Sequence, residues 1–408
     1  MCGRWRRIEV SVVADPQVLA DSEIMVLNMG PQHPATHGVL RLVLSLDGEV
    51  VVDVEPVVGY LHTGIEKTFE SKKYQQGVTL TDRMDYLNPL GNNLCYALAV
   101  EKLLGIEAPP RAQVARVLLA ELTRIQSHLI ATGSNALDLN STTVMMMAFR
   151  DREMLLDIFE MCSGQRMMTS YIRPGGLARD LPPGFEEKVQ AFIDVFPARL
   201  EEYHGILTRN QIWLDRMVGV GRLTAEQCVQ YGVTGPLLRA AGVPRDLRKD
   251  QPYCGYESYD FEVVTRQEGD CYARYLVRMD EMRESLKIVQ QALNRMPEGP
   301  YVVEDYKIAF PPRQSISSDM EALIHHFKLA TEGYRVPPGE VYVCVESPRG
   351  ELGFYILADG SSKPYRVHVR TPSFTNLQVL PIMARGGMMA DVVPIIASID
   401  PIMGDVDR

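Results

Sequence analysis

"GDCYARYLVRMDEMRESLKIVQQALNRM", Gly269 to Met296, is the stretch on which the fold turns. Tyr272, Leu276, Met279, Met282, Leu286, Val289 and Leu293 recur at helical spacing, and Pro297 closes the run. Arg278, Glu281, Glu284 and Lys287 fall between them, on what reads as a solvated face. An apolar stripe of that length needs other helices to cover it. Residues 112–132 supply one, with Val114, Leu118, Leu122, Ile125 and Leu129 in line and Gly133-Ser134-Asn135 as the stop. Residues 142–163 supply another, where Met145-Met146-Met147, Leu155, Ile158 and Phe159 alternate with an Arg-Asp-Arg-Glu run. The three read as members of one bundle.

Strand patterns flank the bundle. "IMVLNM" (Ile24 to Met29), "VLRLVLSL" (Val39 to Leu46) and "EVVVDVEPVVGY" (Glu49 to Tyr60) are rich in β-branched residues, and Asp47-Gly48 marks a hairpin turn. Thr63, with Glu66 three residues on, has the form of a capping box opening the first helix. "YIRPGGLARDLPPG" (Tyr171 to Gly184) reads as an irregular connection. Near the other end, "EVYVCVES" and "ELGFYILADG" bracket a Pro348-Arg349-Gly350 hairpin, "PYRVHVR" makes a third strand, and a short helix starts at about Phe374. The expected class is α+β: a small antiparallel β-rich domain over 1–63, a large helical bundle over 64–335, and an α+β segment over 336–408.

Composition narrows the function classes. The 408 residues include 46% apolar side chains, enough for a large core, and 42 basic against 52 acidic groups give a net charge of −10. That balance argues against nucleic acid as a partner. Seven scattered cysteines with no C-x-x-C suggest neither a disulfide framework nor a metal cluster held by this chain, and a reducing compartment fits. "MCGRWRRIEVSVVAD" has a basic start, but Glu9 interrupts its apolar stretch, so no secretion signal is expected. No window reaches the ~18 uninterrupted apolar residues of a membrane span.

Three motifs carry chemistry. "GPQHPATHG" (Gly30 to Gly38) is a loop stiffened by two Pro and two Gly that can present His33 and His37; with no third ligand nearby it does not read as a zinc site. Loop histidines bonded to carbonyls and a proton-donating imidazole are the two readings it leaves open. "TDRMDYLNPLGNN" (Thr81 to Asn93) packs Asp82, Arg83, Asp85 and Tyr86 ahead of an apolar helix, where charges complementing the helix dipole are the plain alternative. "NALDLN" (Asn135 to Asn140) puts Asp138 just past a helix end.

Taken together with "VVGYLHTGIEK" and "ASIDPIMGDVDR", these strings closely resemble the large quinone-site subunit of respiratory complex I, called 49 kDa or D, from about Met25 to Arg408. That family in turn resembles the large subunit of nickel-iron hydrogenases, which implies a hydrogenase-like fold. Laying the hydrogenase thiolate pattern on this chain puts Asp85, Asn88, Ile402 and Asp405 at the four sulfur positions. A nickel-iron centre needs soft sulfur ligands, and this set has none, so no metal is expected there.

The resemblance implies a cavity for quinone, ubiquinone or menaquinone, in which His37 and Tyr86 donate protons from opposite sides and Asp138 orients or recharges His37. Reference pKa values of about 10 for a phenol and about 6.5 for an imidazole suit both to donation. His33, Arg83, Asp85, Ile402 and Asp405 are implied to line the cavity, and Arg166, Met168 and Arg173 to face a 4Fe-4S cluster held by a partner; for the two arginines, stabilising a helix end is the alternative. The implied partners are the iron-sulfur small subunit (B), the 30 kDa (C) subunit and the membrane subunit of the quinone channel (H), with the chain peripheral at the cytoplasmic face of a bacterial plasma membrane. Where many relatives carry His in "GQRMMTSYIRPGG", this chain has Met168 and Thr169, which points to a lower-potential quinone such as menaquinone. A hydrogenase-like metalloenzyme and a scaffold that merely joins partners are the rival readings.

Overall fold

The computed structural model describes residues 24–408, so the opening "MCGRWRRIEVSVVAD" lies outside the described residues. The first three strands, β1 (Met25–Met29), β2 (Arg41–Asp47) and β3 (Val50–Val57), pair antiparallel in the order β1-β2-β3. Alternation sets their faces: Leu42, Leu44 and Leu46 are buried, while the residues between them stay half-exposed. The Asp47-Gly48 hairpin forms as expected, with Asp47 paired to Val50.

Helices α1 (Ile65–Ser71), α2 (Tyr74–Thr81), α3 (Pro89–Leu104), α4 (Pro110–Asp138) and α5 (Thr142–Ser163) follow. Thr63 does not cap α1. Gly64 occupies the cap with φ +66° and no side-chain bond, and Glu66 instead accepts the Val369 N–H at 2.8 Å. Helix α3 starts with Pro89 in its first turn and stops at Gly105, whose φ of +68° suits a residue without a β-carbon. Helix α4 runs past Gly133 to Asp138 instead of stopping there. A β-carbon on Gly133 would meet Ala148 Cβ at 2.9 Å, so this glycine lets α4 and α5 touch.

After a two-residue hairpin, β4 (Ile172–Arg173) with β5 (Gly176–Leu177), comes α6 (Phe185–Tyr203), and later the long helix Cys271–Asn294, capped by Asp270. The C-terminal sheet, β6 (Gly339–Ser347), β7 (Gly350–Ala358) and β8 (Arg366–Arg370), is antiparallel in that order. Helices Pro372–Leu377, Met389–Ile399 and Met403–Asp407 close the fold. The class is α+β.

Two large apolar cores and one small cluster result among the described residues, and α3 belongs to both large ones. Leu90, Leu94 and Ala97 join the N-terminal sheet, α4, α5 and the long helix, while Cys95, Tyr96 and Val100 pack with the C-terminal sheet. The charged face expected to be solvated on the long helix is so only at Lys287, which is exposed. Arg278, Glu281 and Glu284 are buried and each finds a polar partner: Arg278 donates to Ser398 O, Glu284 accepts from Lys287 and the Glu262 N–H, and Glu281 Oε2 lies 2.9 Å from His128 Nε2 on α4. Arg239 reaches the other oxygen of Glu281 at 2.7 Å. Buried charges of this kind persist only when paired.

Candidate functional site

The His33 to His37 loop contains one 3-10 turn, Pro34–Thr36. His33 is exposed and caps that turn, its Nδ1 accepting the Ala35 N–H at 3.2 Å. The imidazole of His37 is nearly buried and stands with Nε2 3.4 Å from Asp138 Oδ2, an ion-pair distance without the alignment of a hydrogen bond. Because α4 extends to its last turn at Asp138, this carboxylate sits on a rigid helix rather than in a loop.

Residues 82–88 form the turn between α2 and α3. Asp82 Oδ2 accepts from Ser170 N–H at 3.0 Å and from the Ser170 hydroxyl at 2.5 Å, and Asn93 donates to its other oxygen at 2.8 Å. Those bonds draw the Arg166 to Gly176 segment against the turn. Tyr86 is half-buried, and no hydrogen bond to its hydroxyl is found among the described residues. Burial pushes its phenol above the ordinary value, with Asp85 and Asp400 adding to the effect and Arg349 opposing it.

The segment Asp400–Arg408 is the wedge that brings the two motifs together. A β-carbon on Gly404 would meet the carbonyl oxygens of Met84 at 2.5 Å and Arg83 at 2.9 Å, while one on Gly38 would meet Met403 Cγ at 3.8 Å. The His37 loop and the Tyr86 turn thus flank the same short helix. Asp407 fixes the wedge, accepting N–H bonds from Gly59 at 2.8 Å and Leu61 at 2.6 Å. Arg408 donates to Val369 O at 2.9 Å and stacks on Phe374.

Beneath the wedge lies Arg349, from the tip of the β6–β7 hairpin and 1% exposed. Its guanidinium reaches Asp85 at 2.7 Å, Asp400 Oδ2 at 2.8 Å, the Asp400 carbonyl at 3.0 Å and Ser127 Oγ at 2.9 Å. Asp405 is buried beside them, accepting Ser373 N–H at 3.1 Å through one oxygen, while the other has no partner. Burial, with the Asp85 charge adding to it, lifts the Asp405 carboxyl to about 6. Asp85 is likewise raised by burial, against the pull of Arg349. Asn88 and Ile402 are buried at the same junction, Asn88 donating to Ser347 Oγ at 3.3 Å.

Other sequence-selected residues stand outside this group. Arg83 is exposed, and Arg166, on the surface, is engaged by Glu153, by Asp157 at 3.3 Å and by Glu160 at 3.4 Å. Arg173 donates to Ser170 O at 3.1 Å and lines an apolar cavity of about 360 Å³ with Val78, Leu177, Ile308, Phe310 and Tyr334. Met168 is half-buried in the segment that Asp82 holds. Neither His37 nor Tyr86 lines that cavity.

Residues 138–408 match the family described as "Respiratory-chain NADH dehydrogenase, 49 Kd subunit". The chain is 60% identical over 401 residues to the D 2 subunit of NADH-quinone oxidoreductase from Roseiflexus sp. (strain RS-1), covering 98% of this chain and 96% of that one. This chain belongs to the 49 kDa, or D-type, family of NADH-quinone oxidoreductase subunits. The D-type relative from Acidothermus cellulolyticus is 55% identical over 424 residues, covering 100% of this chain and 95% of its own length. The D 2 relative from Chloroflexus aurantiacus is 60% identical over 399 residues, with 97% of each chain covered.

As a member of that family, the chain is part of an oxidoreductase complex. No helix among the described residues is long and apolar enough to cross a membrane, and no set of three His, Cys, Asp or Glu side chains gathers there to hold a metal ion. Sequence reasoning missed Arg349, whose hairpin was recognised only as a turn. The signal was indirect: three carboxylates at one buried junction demand a cation, and the adjoining strands offered one.

Proposed function

We propose that this chain builds the quinone-reducing face of its complex, with Tyr86 and His37 giving protons to the two carbonyl oxygens of the headgroup. The observation that carries the reading is the placement of two donors on either side of one wedge: a phenol free of partners within the described residues, and an imidazole backed by a carboxylate. Each oxygen of a quinone gains negative charge as electrons arrive, and a positioned donor lowers that barrier. Asp138 holds the His37 ring in register and restores its proton. Burial keeps the Tyr86 phenol protonated at working pH, so it donates only when a basic oxygen forms beside it.

The electrons come from a 4Fe-4S cluster held by the B-type small subunit, which the Arg173 cavity and the Arg166 to Gly176 segment face; this chain has no redox centre of its own. The open side of the site is completed by that subunit and by the H-type membrane subunit, with the 30 kDa C-type subunit alongside, at the cytoplasmic face of the membrane. Exposed apolar side chains near the His37 loop and the start of α5, among them Leu137, Met146, Phe149 and Leu61, suit burial against such partners. Replacing Tyr86 by Phe removes one hydroxyl and little volume. In complex whose assembly is checked on a native gel, Tyr86→Phe should cut quinone reduction at least tenfold. Normal turnover in that variant would favour a scaffold role.

A further inference from the structure

The cavity of about 360 Å³ that Arg173 lines is walled by three parts of the chain: α2 with Lys73 at its cap, the β4–β5 hairpin, and residues 301–334. Hydrogen bonds hold those walls together. Leu177 N–H donates to Tyr301 O at 3.0 Å and Val303 N–H to Gly175 O at 2.8 Å, while Lys73 Nζ donates to Ala330 O at 3.3 Å. Most of the lining is aliphatic or aromatic, with Val78, Leu177, Ile308 and Phe310 among it. Its charges are of one sign: Lys73 and Arg173 line it and no Asp or Glu does among the described residues, in a chain whose net charge is −10.

The polar groups there are donors short of acceptors. Arg173, exposed on the open side, donates through Nε to Ser170 O at 3.1 Å, and the carboxylate that acts on its charge, Asp82, is committed to Ser170 and Asn93. Tyr334 is 6% exposed, and its hydroxyl is buried without a hydrogen-bond partner, as is Gln75 Nε2; both side chains line the cavity. The Tyr334 ring is fixed by stacking on Tyr74, with centroids 6.2 Å apart. Burial pushes its phenol up, with Glu101 and Tyr74 adding to the effect, so the hydroxyl remains a donor.

We propose that this cavity binds an amphiphilic carboxylate, its acid group paired with Arg173 and its apolar chain or ring lying against Val78, Leu177, Ile308 and Phe310. A carboxylate matches the forked guanidinium. Gln75 Nε2 and the Tyr334 hydroxyl offer further donors to oxygens of the same molecule. A cation would meet Lys73 and Arg173 with no acid to hold it, and a purely apolar molecule would leave the buried donors unpaired. The volume lies near the lower end of the roughly 300–1,000 Å³ usual for small-molecule sites, which suits a single medium-length chain and is too small for a diacyl lipid. Neither His37 nor Tyr86 takes part, so the site goes beyond the quinone reading and does not depend on it.

Photolabelling of the assembled complex tests this, with decanoate carrying a diazirine near its methyl end as the probe and peptide mass spectrometry as the readout. Label should fall on residues 301–334 or on the β4–β5 hairpin, and should be displaced by decanoate but not by decanol, which has the chain without the charge. Arg173→Gln should lower that label about tenfold or more, the usual effect of losing a hydrogen bond to a charged group. Tyr334→Phe, which keeps the ring, should lower it several-fold. Label absent from those peptides, displaced equally by decanol, or undiminished in either variant overturns the proposal. Should a variant fail to assemble, the competition between decanoate and decanol on the wild-type complex decides. Label that appears on the isolated chain and vanishes in the complex means that an acidic side chain of a neighbouring subunit fills the cavity, and this too overturns the proposal.

Discussion

Gly404 lies so close to Met84 that an added β-carbon would stand 2.5 Å from its carbonyl oxygen. Backbone on both sides of that contact is fixed, Met84 by the turn between α2 and α3 and Gly404 by the anchoring of Asp407. Gly404→Ala must therefore push the wedge away from the Tyr86 turn. We expect a loss of about 1–3 kcal/mol, read by urea unfolding of the chain. Quinone reduction should fall further than that loss of stability explains, since His37 and Tyr86 both take their positions from the wedge.

Arg349 gives a second test. Removing it leaves Asp85 and Asp400 buried without their shared cation, a change that typically costs about 3–5 kcal/mol. Arg349→Met keeps most of the volume, so its destabilisation reports charge rather than a cavity. Asp85→Asn should recover part of the loss when combined with it, because one orphaned charge is then removed. A strictly additive double variant would mean that the two side chains do not interact.

Where hydrophobic periodicity alone determines structure, the sequence was readable. Helix α5 runs over the expected 142–163, and the alternation in β2 and the Asp47-Gly48 turn specify the first sheet. Glycine was misread at Gly133, where it permits a close helix contact; the same residue type ends α3 at Gly105, and local sequence does not separate the two uses. Polarity was misread on the long helix, because a buried ionic network and a solvated face share one pattern, as Arg278 and Glu281 show. The site residues came from motif resemblance, whereas Arg349 and the pairing of Asp407 with Gly59 and Leu61 depend on contacts between residues hundreds of positions apart.

Stability should respond to His128 in acid. Burial lowers its pKa from the ordinary 6.5 to about 4, against the opposing pull of Glu281. The unfolded chain therefore binds a proton that the folded chain refuses between those values. The resulting stabilisation is complete above about pH 6.5 and is lost as pH falls toward 4, at most about 3 kcal/mol. Urea midpoints for His128→Gln should show a flatter slope across that window than the wild type.

Asp405 should act with the opposite sign. Its carboxyl is raised from 3.8 to about 6, so the folded chain holds the proton more tightly than the unfolded chain does. Stability falls as pH rises through that interval, by at most about 3 kcal/mol. Asp405→Asn, which keeps an oxygen for the Ser373 N–H, should be more stable than wild type at pH 8 and gain little or nothing at pH 4. Thermal unfolding at the two pH values measures the difference.

The segment pinned by Asp82 and Ser170 carries Met168 and Thr169, neither of which titrates. On the proposed reading, in which a partner's 4Fe-4S cluster faces this segment, that cluster has no ionisable side chain at these positions to couple its charge to a proton. Redox titration of the assembled complex should give a midpoint potential that depends only weakly on pH, in keeping with menaquinone as acceptor. A slope near one proton per electron would contradict this.

His37 and Asp138 should separate orientation from structure. The carboxylate is presented by the last turn of α4, and its Oδ2 stands 3.4 Å from His37 Nε2, both atoms buried and without another hydrogen-bond partner among the described residues. Asp138→Asn preserves size and helix but cannot hold or restore the proton on the ring. Its kcat should drop ten- to a hundredfold, within the usual worth of a positioned acid or base, while KM for quinone stays near normal. His37→Gln should lose at least as much, and adding Asp138→Asn to it should cost little more, because the carboxylate works only through the ring. If the two losses instead multiply, Asp138 serves the site by some route other than His37.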